Sequence, residues 1–159
     1  MKKKIVTAAE AEAIIRQTRR EGKVVVMANG CFDLIHVGHI RYLQAARQMG
    51  DLLVVALNSD AGIRQLKGSG RPIMNQHDRS VILAAMEMVD WIVIFDEPDV
   101  RALLRRLRPD IQVKGTDYTE ETVPEREVVL GYGGRVRIAG DPKDHSTRDL
   151  IADIIAHHE

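Results

Sequence analysis

His36 and His39 stand three positions apart, with Gly38 between them, in the stretch Asn29-Gly30-Cys31-Phe32-Asp33-Leu34-Ile35-His36-Val37-Gly38-His39. An apolar run, residues 24–28, leads directly into it. A helix that starts near His36 would put both imidazoles on one side of its first turn. The free backbone N–H groups and the dipole of that turn would attract an anion to the same place. Gly38 removes a side chain from the turn, and Gly30 lets the backbone approach a bound group. Both rings could then reach one polyphosphate. The same spacing also suits a metal pair or a purely structural role, although no further Cys, His or Asp set at metal-ligand spacing accompanies it. Cys31 lacks a dedicated base and reads as a small half-buried residue rather than a nucleophile.

Three other stretches carry related chemistry. Leu66-Lys67-Gly68-Ser69-Gly70-Arg71-Pro72 reads as a flexible loop with two cations, suited to closing over phosphates; standing alone, it would be a solvated turn. Lys114-Gly115-Thr116-Asp117-Tyr118 places another Lys-Gly pair at the end of an apolar run. Ser146 and Thr147 read as a helix cap, which is also an anion site. Neither the G-x-x-x-x-G-K-[ST] phosphate loop nor a G-x-G-x-x-G after the first strand occurs. With 23 basic and 23 acidic residues, the chain offers no general attraction to nucleic acid or to an anionic membrane, so phosphate binding must be built locally.

The elements that must hold these residues alternate. Short apolar runs at residues 24–28, 52–58, 91–95, 111–114 and 135–139 read as parallel strands covered on both faces. Between them, Val100, Leu103, Leu104 and Leu107 follow a helical period, as do Ile82, Ala85, Met86 and Val89. Thr7 through Glu10 form a capping box for an N-terminal helix with Ala11, Ile14, Ile15 and Thr18 on one face. Asn75 caps a helix running to Val89, and Ser146 starts a last helix carrying Leu150, Ile151, Ile154 and Ile155; Gly50 and the glycines around Tyr132 are stops. The expectation is one α/β domain, a doubly wound parallel five-stranded sheet at residues 23–159, with an N-terminal helical extension at residues 1–22. A chain of 159 residues can bury on the order of 70% of its unfolded surface. The single cysteine suits a reducing compartment, no run is long enough to span a bilayer, and the polar start is unlike a signal peptide, so a cytoplasmic, non-membrane protein is expected. In such sheets ligands bind beyond the carboxyl ends of the strands. That is where residues 29–39, 58–71, 114–118 and 140–147 fall.

The stretch from Asn29 to His39 resembles the x-F-D-x-x-H-x-G-H signature of the nucleotidyltransferase superfamily, and Asp33-Leu34 is similar to its cytidylyltransferase-like branch. With Asn58-Ser59-Asp60, Leu66-Lys67-Gly68, Arg71-Pro72, Val89-Asp90-Trp91 and Lys114-Gly115-x-Asp117-Tyr118, nearly the whole chain resembles the adenylyltransferase part of the ADP-heptose synthases. The resemblance implies a Rossmann-like fold and transfer of AMP from ATP, with Mg²⁺, to D-glycero-β-D-manno-heptose 1-phosphate. The products would be pyrophosphate and ADP-heptose for lipopolysaccharide core synthesis. It also implies a separate sugar kinase, since relatives often carry one fused, and a homo-oligomer. Two stretches depart from the pattern. His145-Ser146-Thr147-Arg148 stands where many relatives have Ser-Thr-Thr. Asp141-Pro142-Lys143-Asp144 stands where glycerol-phosphate cytidylyltransferases carry Arg-Thr-Glu-Gly.

A sugar phosphate is already an anion at neutral pH, so the reaction needs charge neutralised rather than a strong base. His36, His39 and Lys67 are therefore expected to stabilise the transition state. Asn29, Gly30, Cys31, Phe32, Gly38, Lys114, Gly115, Asp117, Ser146 and Thr147 would bind the nucleotide, and Asp33, Lys67 and Arg71 the acceptor's phosphate. No protein-held metal is expected. Glycerol-3-phosphate cytidylyltransferase, FMN adenylyltransferase and a nucleotide-binding regulatory module remain the alternatives.

Overall fold

The computed structural model describes residues 3–142 and 146–158; Lys143, Asp144 and His145, named above, lie outside the described residues. Five strands form one sheet: β1 (Val25–Gly30), β2 (Leu52–Asn58), β3 (Trp91–Phe95), β4 (Ile111–Lys114) and β5 (Arg135–Ile138). Their order is β3-β2-β1-β4-β5 and every pairing is parallel. Seven helices accompany them among the described residues: α1 (Ala8–Arg20), α2 (Val37–Arg47), α3 (Asp60–Lys67), α4 (Gln76–Ala84), α5 (Arg101–Leu107), α6 (Arg126–Gly131) and α7 (Thr147–His158).

Strand alternation sorts the core into two layers. Val25 and Met27 of β1 pack with Ala11 and Ile15 of α1 and Leu104 of α5. Val26 and Ala28 face the other way, against Leu43 and Ala46 of α2 and Leu83 of α4. The strands are therefore apolar on both faces, the pattern that marked them in the sequence. The N-terminal segment joins the same structure. Val6 N–H donates to Ile92 O at 3.0 Å and Ile92 N–H to Lys4 O at 2.9 Å, which adds a bridge beyond β3.

Caps fall where side-chain chemistry places them. Thr7 Oγ1 accepts the Glu10 N–H while Glu10 Oε1 accepts the Thr7 N–H, the reciprocal capping box. Asn75 Oδ1 accepts the Asp78 N–H, and Ser146 Oγ the Asp149 N–H.

Four local expectations need correction. β1 runs on through Asn29 and Gly30, so the strand itself delivers them to the site. The expected loop after β2 is mostly helix α3, started by Ser59 Oγ accepting the Gly62 N–H. Lys67 is thus the last residue of a helix, and Gly68, at φ +84°, makes the exit that a side chain would strain. The helix from Asn75 stops at Ala84, not Val89. Beyond it, Asp90 Oδ2 accepts the Leu53 N–H and turns the chain into β3. Finally, the apolar stripe of α7 does not enter the core: Ile154 and Ile155 are more than half exposed.

Candidate active site

The strand order defines where a ligand can enter. From β1 the chain winds outward through β2 to β3, then returns to lay β4 on the other side of β1. Connections on either side of β1 and β4 therefore diverge, and a crevice opens beyond their carboxyl ends. A cavity of about 1010 Å³ occupies it. The end of β1 and the turn after it (residues 29–32), His36, Gly38, His39, Lys67, Arg71, Lys114, Gly115, Asp117, Ser146 and Thr147 all line that cavity. Of the residues expected to bind the substrates or stabilise the transition state, Asp33 alone does not.

His36 is the N-cap of α2 and uses its ring for the purpose. Gly38 N–H donates to His36 Nδ1 at 3.1 Å, and His36 N–H donates to His39 Nδ1 at 3.2 Å. Each Nδ1 is an acceptor, so a neutral ring carries its proton on Nε2. The ring centroids are 4.0 Å apart, and Phe32 packs against His39 at 5.5 Å between centroids. His39 is pushed down to about 4, chiefly by burial and then by His36 and Lys67 close by. At neutral pH it is an uncharged N–H donor.

The turn before these histidines is held from below. Phe32 and Leu34 both adopt left-handed φ of +49°, a conformation that costs non-glycine residues about 1–3 kcal/mol and needs support. A Cβ on Gly30 would meet the Phe32 ring at 3.1 Å, so any larger residue would press on the folded-back ring. Asp33, 2% exposed, accepts hydrogen bonds from the Ile73 N–H (2.7 Å), the Met74 N–H (2.9 Å) and Arg71 Nε (3.1 Å). Burial pushes its carboxyl up, but those donors together hold it below the ordinary value. Its oxygens are committed to fastening the segment that carries Arg71.

Arg79 is a residue supporting the site that sequence reasoning missed. Completely buried, it donates to Met74 O (2.9 Å), Cys31 O (2.7 Å) and Asn58 O (2.8 Å), and pairs with Asp60 Oδ1 at 2.7 Å. One guanidinium ties the turn after β1 to the end of β2 and the entrance of α4. A signal existed: Arg79 lies one turn before Ile82, on the stripe otherwise read as apolar. From the far end of the chain, Thr147 Oγ1 donates to Asp33 O at 2.6 Å. Cys31 has its thiol pushed up by burial, against the pull of Lys67, Arg79 and Arg71, so it is protonated and a poor nucleophile. Among the described residues no group of three or more His, Cys, Asp or Glu side chains is placed to hold a metal.

The cytidylyltransferase-like family model matches residues 27–149. The chain is 51% identical over 146 residues to the bifunctional protein HldE of Syntrophotalea carbinolica, covering 92% of this chain and 30% of that protein. It is 51% identical over 142 residues to HldE of Geobacter sulfurreducens, covering 89% of this chain and 29% of that one. Among solved structures, a lipopolysaccharide core biosynthesis protein from Thermoplasma volcanium superposes with TM-score 0.61 at 31% identity, over 74% of this chain and 94% of that one. A pantoate-beta-alanine ligase from Francisella tularensis, solved in complex with beta-gamma ATP and beta-alanine, reaches 0.62 at 12% identity over 96% of this chain and 77% of that one, a likeness of fold.

The chain belongs to the cytidylyltransferase-like family and is a nucleotidyltransferase. Its HldE relatives are longer proteins, of which it spans about 30%.

Proposed function

We propose that the chain transfers AMP from ATP to D-glycero-β-D-manno-heptose 1-phosphate, forming ADP-heptose for lipopolysaccharide core synthesis and releasing pyrophosphate. The carrying observation is the crevice between β1 and β4, which gathers two N–H-presenting imidazoles, Lys67 and Arg71 around a volume large enough for a nucleotide and an acceptor. About 50% identity to proteins named HldE over some nine-tenths of the chain supports the choice of sugar.

An oxygen of the sugar phosphate attacks the α-phosphorus of ATP, the bond from that phosphorus to the oxygen bridging the α- and β-phosphates breaks, and that oxygen leaves with pyrophosphate. The attacking oxygen is already ionised, so no proton has to be removed. His36 and His39 donate Nε2–H bonds to phosphoryl oxygens that gain charge, and Lys67 at the end of α3 supplies a full positive charge. Arg71, oriented by Asp33, meets the acceptor's phosphate; Asp33 then serves that phosphate through Arg71. Mg²⁺ arrives with ATP as part of the substrate. The acceptor requires a sugar-phosphorylating activity to supply it. A cytoplasmic location and a homo-oligomer complete the proposal, the latter tested by light scattering against the monomer mass.

Pyrophosphate release with ATP or CTP, paired with heptose 1-phosphate, glycerol 3-phosphate or FMN, tests the reading. ATP with heptose 1-phosphate should give the highest kcat/KM by orders of magnitude, because unpaired buried groups penalise a wrong base or acceptor heavily. A preference for CTP would refute adenylyl transfer. ATP with FMN as the best pair would overturn the sugar, and binding without turnover on any acceptor would indicate a regulatory module.

A further inference from the structure

Behind the wall of the crevice lies a carboxylate with no task in the reaction as drawn. Glu125, the residue preceding α6, is 5% exposed, and its Oε2 has no hydrogen-bond partner among the described residues. Its Oε1 stands 3.7 Å from Lys114 Nζ, within reach of charge attraction but too far for a hydrogen bond. The Lys114 side chain is itself 13% exposed, and its ammonium lies 5.1 Å from the centroid of the Tyr118 ring. On the same face of β4, two residues earlier, Gln112 is fully buried. It donates Nε2 to Asn29 Oδ1 and leaves its own Oε1 unpartnered. A core does not gain stability from a buried carboxylate whose ion pair is half made. Such an exception to local economy is expected where function asks for it.

We propose that Glu125 is a positioning residue that holds Lys114 back, drawing the ammonium against Tyr118 while the crevice is empty and yielding it to the incoming phosphates. The inference rests on the nucleotide reading of the crevice. Lys114 is at the carboxyl end of β4 and lines the cavity, so a phosphate chain there competes with Glu125 for the same charge. The competition favours the phosphates, because the contact they displace is not a hydrogen bond. Part of the phosphates' attraction for the ammonium is spent on parting it from Glu125. Glu125 thereby weakens the hold on nucleotide and on departing pyrophosphate alike. That costs little in catalysis, since tight ground-state binding adds nothing to kcat.

Calorimetric titration of the whole chain with MgATP, and separately with pyrophosphate, tests this without any acceptor. Glu125→Gln keeps the shape and removes the charge, so both ligands should bind roughly 5- to 20-fold more tightly. In a Lys114→Met background the same substitution should change affinity by less than about twofold. Glu125→Asp, which retracts the charge but keeps it, should fall between wild type and Glu125→Gln, and serves if Glu125→Gln does not fold. A purely structural role would weaken binding or leave it unchanged, and either result overturns the proposal, as does an equal change in both backgrounds. If the wild-type chain binds neither ligand, the nucleotide reading fails and this inference with it. If it binds both and the variants do not differ, only this inference fails.

Discussion

A histidine that accepts a backbone N–H at Nδ1 has one neutral-state proton to offer, and it is on Nε2. His36 and His39 both meet that condition, which makes them donors of fixed tautomer rather than bases. Replacing either by Ala removes a donor aimed at charge that grows in the transition state. The expected loss in kcat is roughly 10²–10³-fold, with a smaller change in KM. Steady-state kinetics of the two variants check it, and near-wild-type turnover in either would end the assignment. The same geometry fixes a direction in pH. The folded value for His39 is about 4, below the ordinary 6.5. As pH falls, the unfolded chain takes the proton first, so the associated stability is full above about 6.5 and is lost on the way down to about 4. An NMR titration should find the His39 ring titrating near 4 in the free protein, and denaturation across that window should be less pH-dependent in His39→Gln.

The helices do more than cover the sheet, and α4 is the clearest case. Through Arg79 it binds three backbone carbonyls and one carboxylate, from the turn after β1, the end of β2, the start of α3 and its own entrance. Arg79→Met keeps most of the volume but strips those acceptors of their donor and leaves Asp60 unpaired. The expected cost is about 3–5 kcal/mol in denaturant unfolding, with the m-value unchanged. A loss under 1 kcal/mol would show that the staple is dispensable. This element also marks where sequence reasoning stops. Leu52–Asn58, Trp91–Phe95 and Ile111–Lys114 were legible because a strand apolar on both faces leaves an unbroken run. The Thr7 and Asn75 caps were legible because their partners are three residues away. Arg79 was not, because its acceptors lie 5, 19, 21 and 48 positions off, and a charged residue on an apolar stripe looks like an edge of that stripe. Helix α3 hid for a similar reason: Gly62 lowers its helical propensity, and a small residue suits the position because a Cβ there would meet Asp96 O at 3.3 Å.

At the scale of the molecule, the N-terminal helix reads in sequence as an attachment, yet it packs as part of the wall. Val6, Ala11 and Ile15 belong to the core layer that covers Val25, Met27 and Val93. Burying a Val or Ile side chain is worth about 1.5–3 kcal/mol each. We propose that residues 1–22 are an extension in sequence but not in stability: removing them should lower stability by at least about 3 kcal/mol and open one face of β1. Urea unfolding of the truncated chain checks this, and an unchanged midpoint would show that residues 23–159 stand alone. The position of the site was legible at this scale too. Runs rich in Gly, Lys, His and Ser all followed strand ends, and a parallel sheet puts strand ends on one rim. What the sequence did not reveal was which two strands part, because strand order depends on packing rather than on any local pattern.

The hydrogen bond from Thr147 to Asp33 joins residues 114 positions apart, and it has a consequence for a chain being made. At about 5–20 residues per second, a ribosome needs roughly 6 to 23 s to travel from the codon for Asp33 to that for Thr147. In that interval the first three strands can already pair, while the turn bearing both histidines still lacks β4 beside it and the strap from α7 above it. A nascent chain would therefore be able to fold well before it could grip a triphosphate. Competence to bind ATP during translation should switch on late and abruptly, at the length that frees α7, and so time-stamp the completion of the domain.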